Sequence, residues 1–283
     1  MTFKTIITIA SLCFATESFA QGFTPAYVER ADSADHYIKA ERWADAERNL
    51  KTALRLEPAN PGNALLLSNL GYVQTMLGKF DDALESYDVS LSIAPKSAVV
   101  LSNRALTYAS AGKTAEAMKD LDAALAIDST RTMPLKMRGL LRLGNGDIAG
   151  ARHDLTLLAS YDKKNATAYD GLAQCEIVEG QPDKALEMAA AALSLAPTPD
   201  RYCVKASLEI DTGRLPEAAE TLREAIKEFP RYGDLYLLRA RLHQLSYRPE
   251  DMETDIRTAT ENSASLELLN QLFPNHTRLF HLN

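Results

Sequence analysis

Small and apolar residues return along this chain at a fixed beat. Ala46, Ala83, Ala117, Ala151, Ala185 and Ala218 are separated by 37, 34, 34, 34 and 33 residues, with Met252 next in the series. Other rows keep the same phase. Twelve residues ahead of each anchor stands a small residue: Ala34, Gly71, Ala105, Gly139, Ala173, Ala206 and Ala240. Four residues after it come Leu50, Tyr87, Leu121, Leu155, Ala189, Leu222 and Ile256, and seven after it Ala53, Ser90, Ala124, Leu158, Ala192, Ala225 and Ala259. Spacings of three and four put these rows on one face of a helix. Five residues before the anchor a glycine recurs as Gly78, Gly112, Gly146, Gly180 and Gly213, and twelve after it a proline recurs as Pro58, Pro95, Pro197 and Pro230. Glycine supplies the left-handed residue that closes a helix, and proline cannot continue one. Each copy therefore predicts helix, tight turn, helix, stop. Asp81, Asp82, Glu116, Asp147, Asp183 and Glu217 follow the turns, where carboxylates favour the positive end of the second helix.

A period near 34 predicts an all-α chain built by stacking one unit, with small residues where two helices cross closely. Copies begin near Tyr27, Ala64, Ala98, Thr132, Ala166, Pro199 and Gly233. Pro61-Gly62-Asn63 lengthens the first connection, and Ser129 and Lys163 replace the closing proline. Leu266, Leu268, Leu269, Leu272 and Phe273 form an amphipathic stretch ended by Pro274, placed to cover the apolar face of the last copy. The expected organisation is 1–20 export signal, 21–26 leader, one elongated repeat domain over 27–264, and a capping helix with tail over 265–283.

These motifs resemble the tetratricopeptide repeat across nearly all of the chain after the leader. Leu70-Gly71, Gly78, Phe80, Ala83, Tyr87 and Pro95 carry the likeness in the second copy, and Tyr37, Trp43, Ala46, Leu50, Ala53 and Pro58 in the first. The resemblance implies a right-handed α-solenoid of about seven antiparallel helix pairs whose first helices line a concave groove. It also implies a non-catalytic module that holds a protein or peptide partner there.

The first twenty residues have a different character. Lys4 precedes the apolar run from Ile6 to Ala15, and Ser18-Phe19-Ala20 fits a small-x-small cleavage site before Gln21. About ten apolar residues are too few to span a bilayer. Cys13 sits within that run behind Ser11-Leu12, a poor lipidation context. The expected location is periplasmic or secreted, with no membrane insertion once the signal is cleaved. Removing the signal takes one base, Lys4, and one acid, Glu17, so the net charge stays at −7. An acidic chain without a basic tract has little to hold phosphate backbones, which disfavours nucleic acid. Cys175 and Cys203 fall on first helices of adjacent copies, about 7 Å out of step along the axes before lateral spacing is added, so two reduced, packed thiols are expected.

No chemistry-bearing constellation stands out. His36, His153, His243, His276 and His281 lie apart in the repeats or the tail, and none keeps the spacing of a helical metal site. Neither a nucleophile elbow nor a glycine-rich phosphate loop is present. No catalytic, cofactor-binding or metal-binding residue is assigned, and no cofactor is expected. Asn165-Ala166-Thr167 and Asn275-His276-Thr277 would accept glycans in a eukaryotic secretory route only.

Carrying the groove register of the resembled family onto this chain selects Asn69, Tyr72 and Met76 in the second copy and Ser102, Asn103 and Leu106 in the third. Met133, Lys136, Met137 and Leu140 follow in the fourth, and Asp170 and Gln174 in the fifth. In relatives, the asparagine at the position of Asn69 and Asn103 can hold the backbone of an extended peptide, because an amide offers both donor and acceptor. The same residues could instead tie neighbouring helices together. A clamp for a C-terminal carboxylate, built in relatives from lysine and asparagine four positions apart, is missing: the paired positions hold Ala31 and Asp35, or Ser68 and Tyr72. The expected function is thus an envelope scaffold that binds polypeptide. The alternatives are an accessory subunit docking by its convex face or the Pro61-Gly62-Asn63 loop, and an enzyme of unfamiliar type.

Overall fold

The computed structural model describes residues 24–274, which are helices and connecting turns with no strand among them. The expected signal, and the tail with Asn275, His276 and His281, lie outside the described residues. Contacts group the chain into two compact units, residues 1–145 and 146–283. The first contains α1 (Pro25–Lys39), α2 (Trp43–Leu56), α3 (Asn63–Met76), α4 (Phe80–Ile93), α5 (Ala98–Ser110), α6 (Thr114–Ile127) and α7 (Thr132–Gly144). The second contains α8 (Ile148–Tyr161), α9 (Ala166–Val178), α10 (Pro182–Leu195), α11 (Pro199–Asp211), α12 (Leu215–Glu228), α13 (Gly233–Leu245), α14 (Pro249–Glu261) and α15 (Leu266–Leu272).

In the first unit α1 pairs with α2, α3 with α4 and α5 with α6, each pair packs onto the next helix, and α3, α5 and α7 run side by side. In the second unit α9 pairs with α10, α11 with α12 and α13 with α14, while α11 also lies beside α13 and α15 rests on α13. The phased rows are the core. All six anchor alanines are wholly buried, as are Ala34, Ala105, Ala206 and Ala240 ahead of them. The seventh anchor, Met252, is buried too, so the last copy is a packed hairpin like the others. At Gly71 an added Cβ would stand 2.8 Å from the ring of Tyr87, which lies flat against the bare backbone. The crossing point is small because an aromatic ring fills the space a methyl would need.

The turns repeat with equal regularity. Gly78, Gly112, Gly180 and Gly213 have φ between 67° and 75°, and the next amide reaches back five residues: Lys79 N donates to Gln74 O (2.9 Å), Lys113 N to Tyr108 O (2.8 Å), Gln181 N to Glu176 O and Arg214 N to Glu209 O (both 2.8 Å). This closure satisfies helix-end carbonyls only if the turn residue is left-handed. The first and last copies place Glu41 (φ 54°) and Tyr247 (φ 56°) there, with the same return bonds from Arg42 N to Tyr37 O and from Arg248 N to His243 O. A side chain in that conformation costs about 1 kcal/mol relative to glycine. Tyr247→Gly is accordingly expected to stabilise the second unit by about 0.5–1 kcal/mol, read as a higher midpoint in urea with unchanged slope.

The closing prolines follow their helices by two residues, as at Leu56 and Pro58 or Ile93 and Pro95. The three-residue insertion has a structural job. Asn63 is buried, accepts from the Tyr27 hydroxyl (3.0 Å) and donates to Glu57 O (2.6 Å), so it joins the start of α3 to α1 and the end of α2. The capping stretch forms α15, which buries Leu269 and places Phe273, just beyond its end, in the same cluster with Tyr236, Leu237, Ala240, Met252, Ile256 and Ala259.

Candidate functional site

Helices α3, α5 and α7 carry most of the selected groove residues, and six of them, Asn69, Met76, Asn103, Leu106, Met133 and Leu140, stand on the face these helices form. Asn69 and Asn103 stand at equivalent positions on α3 and α5, both half-buried. Neither side-chain amide meets a hydrogen-bond partner among the described residues; they do not tie the helices together. Met76 is exposed, and Leu106, Met133 and Leu140 are half-buried beside them. Met137 leans away, onto the cluster of Ala105, Ala117 and Leu121.

Three of the selected residues in this unit sit deeper. Tyr72 is 8% exposed and meets Trp43 edge-on, ring centroids 5.8 Å apart, so it is part of the core beneath the face. Ser102 is buried, and its hydroxyl donates to Ala98 O one turn back (2.6 Å). Lys136 is 7% exposed and has no hydrogen bond or ion pair among the described residues. Burial alone pulls its ammonium down from 10.5 to about 8. The depressed pKa sets the sign of a pH effect. Below about 8 the fold carries a poorly solvated cation; between about 8 and the ordinary lysine value the folded chain has released a proton that the unfolded chain keeps, so stability rises with pH. Lys136→Met is expected to stabilise the first unit at pH 7 by about 1–2 kcal/mol, a figure reduced for the water the ammonium still reaches, and to abolish the alkaline gain in thermal unfolding followed from pH 7 to 10.

In the second unit Gln174 is exposed on α9, but Asp170 is engaged internally. Arg201 on α11 donates to its carboxylate from Nε (2.9 Å) and Nη2 (2.7 Å), joining two neighbouring first helices. Cys175 and Cys203 are free thiols, and burial pushes both pKa values up, which leaves them weak nucleophiles. Among the described residues no group of three or more histidine, cysteine or acidic side chains is placed to hold a metal, and no helix is long and apolar enough to cross a membrane.

Ion pairs at matching phases, not expected from the hydrophobic pattern, hold the hairpins. Arg104 Nε and Nη2 grip Asp120 (both 2.7 Å) across α5 and α6, and Arg239 Nε and Nη2 grip Asp255 (2.8 and 2.6 Å) across α13 and α14. In the sixth copy Lys205 Nζ donates to Thr221 Oγ1 (2.6 Å) in the same place. The signal was a basic residue sixteen positions before its partner, thirteen ahead of the anchor.

Tandem helix hairpins joined by internal ion pairs, with internally unpaired amides and open apolar groups along adjacent first helices, define a repeat scaffold that works by contact. The chain belongs to the tetratricopeptide repeat family: one repeat model matches residues 32–98, 136–200 and 203–245, and a second matches 98–131. The family is in general a non-catalytic interaction module, and its members bind protein partners. Among solved structures the chain is similar to a tetratricopeptide repeat protein from Parabacteroides merdae, with 28% identity, a TM-score of 0.64, and coverage of 89% of this chain and 98% of that one. It is also similar to PilW, a type IV pilus biogenesis factor (21% identity, TM-score 0.64, 75% and 98% covered), and to PilF of Pseudomonas aeruginosa (17%, 0.62, 77% and 95%). No curated protein matches the chain.

Proposed function

We propose that this chain is an exported, non-catalytic scaffold of the cell envelope that holds an extended polypeptide against α3, α5 and α7. The observation that carries the reading is the pair of half-buried amides, Asn69 and Asn103, one repeat apart and without internal partners. A peptide backbone presents a donor and an acceptor at every residue, and an amide answers both whatever the ligand's side chains. Met76, Leu106, Met133 and Leu140 supply apolar contact, which provides most of the affinity, while the amides set register. Export rests on the Lys4 to Ala20 segment of the sequence.

The double variant Asn69→Ala/Asn103→Ala is expected to lower partner retention about tenfold in a tagged capture from intact envelopes, with the circular dichroism of the helices unchanged. Retention equal to the wild type would remove this face from the proposal. The accessory-subunit reading has its own support. Leu56, Ile93 and Ile127, the last residues of α2, α4 and α6, are each more than 40% exposed and form a second apolar row at another edge of the hairpins. A stoichiometric partner that survives the amide double variant and is lost on Leu56→Ser/Ile93→Ser would favour that reading.

A further inference from the structure

Thr24, just ahead of α1, is tied to the far end of the first hairpin. Its backbone N–H and its hydroxyl both donate to Oε1 of Glu57 (2.6 and 2.7 Å), the residue that follows α2. Oε2 of Glu57 accepts from Asn60 Nδ2 (2.6 Å). These bonds hold the Glu57 carboxyl below the usual carboxylate range, the Thr24 amide contributing most. The carboxylate also meets the positive end of α1, which has no capping side chain and no acidic residue of its own in the first turn. Three residues further on, Tyr27 is 1% exposed, and its hydroxyl donates to Asn63 (3.0 Å). Closing the hairpin of α1 and α2 thus fixes the chain from Thr24 onward.

The expected cleavage point lies close to this anchor. Only Gln21, Gly22 and Phe23 separate the bond after Ala20 from Thr24. Three extended residues reach about 10 Å, roughly the diameter of one helix. A peptidase must draw extended backbone on both sides of the scissile bond into its cleft, and with so short a tether its rim meets the folded hairpin first. Cutting the closed chain then requires the segment from Thr24 to Tyr27 to open, and the rate follows the open population.

We propose that closure of the first hairpin, locked by Glu57 on Thr24, shields the Ala20–Gln21 bond from signal peptidase, so that removal of the N-terminal segment comes before that closure. This rests on the reading that residues 1–20 are an export signal, and it adds the order of two events and the residue that sets it. The step itself is a hydrolysis: water adds across the amide, leaving a carboxylate on Ala20 and a new amino terminus on Gln21. Glu57 takes no part in the bond chemistry; it positions the chain beside it. A molecule whose first hairpin closes early keeps its apolar N-terminal segment.

Purified signal peptidase in mild detergent is given three substrates: the folded full chain, the same chain with Gly-Ser-Gly-Ser-Gly-Ser inserted between Gly22 and Phe23, and a blocked peptide of residues 10–30. Cleavage is followed by intact mass, as the appearance of a product beginning at Gln21. The folded chain is expected to be cut at least about tenfold more slowly than the peptide. The insertion adds about 20 Å of reach and touches no contact of the hairpin, so it should restore most of the rate. Glu57→Ala should speed cleavage of the folded chain about threefold, because it frees Thr24 while Tyr27 stays seated, with the circular dichroism unchanged. A folded chain cut as fast as the one with the insertion overturns the proposal. An insertion that restores the rate while a folded Glu57→Ala variant leaves it unchanged overturns the role of Glu57. If the peptide itself is not cut after Ala20, the export reading fails and the proposal falls with it; a peptide cut normally confines any failure to the proposal.

Discussion

Arg104→Ala is expected to destabilise the first unit by about 3 kcal/mol, with a fall in urea midpoint and little change in slope. The Asp120 side chain is 9% exposed and receives two of the guanidinium's hydrogen bonds, while a third goes to Asp88 (2.5 Å). Truncation would leave a buried carboxylate with its desolvation cost and no cation, and breaking such a pair from one side typically costs about 3–5 kcal/mol. The lower end applies because Arg104 is itself 19% exposed and water can enter where it stood. Replacing both partners with apolar residues of similar shape, Arg104→Met/Asp120→Leu, should recover most of the loss. A double variant no more stable than Arg104→Ala would mean that the guanidinium, which also lies over the Tyr108 ring, cannot be replaced there by an apolar side chain.

Tyr87 offers a comparable effect from packing alone. It is completely buried, its ring lies on Gly71, and Tyr87→Ala should cost about 3–5 kcal/mol through lost burial and the cavity left between α3 and α4. Tyr87→Phe should change stability by less than about 1 kcal/mol in either direction. The hydroxyl is buried without a well-formed hydrogen bond, because the nearby Thr75 and Thr107 hydroxyls bond each other at 2.6 Å. Burial accordingly pushes the phenol's pKa up. Removing an unsatisfied polar atom gives back its desolvation cost, which offsets the loss of contact. Thermal unfolding of both variants tests the pair of values. A Tyr87→Phe cost above about 2 kcal/mol would show the hydroxyl to be satisfied.

The fold was legible because its determinants are local and repeated. Crossing residues must be small, turn residues must tolerate positive φ, and each requirement recurs at one phase, so Ala83 and Gly78 could be recognised from Ala117 and Gly112. Depth at the candidate face was less legible. Register places a residue on a side of a helix, but how far it sinks depends on its neighbours' volumes: Trp43 covers Tyr72, and the first turn of α5 takes up the Ser102 hydroxyl. Asp170 looked available because its partner, Arg201, is 31 positions away in the next copy. Asn63 looked like part of a loop because its bonds to Tyr27 and Glu57 form only when α1 and α3 come together. The division at Asn145 and Gly146 left no mark, since the fourth copy keeps the same phase as the rest.

The left-handed positions held by Glu41 and Tyr247 have a bearing on how the protein opens. In a repeat array each hairpin is supported chiefly by its neighbours, and α15 gives that support to the last one. Here the two end hairpins carry the turns with conformational strain. Within each unit, local opening should therefore begin at the hairpin that carries the strained turn, before the hairpins closed by glycine give way.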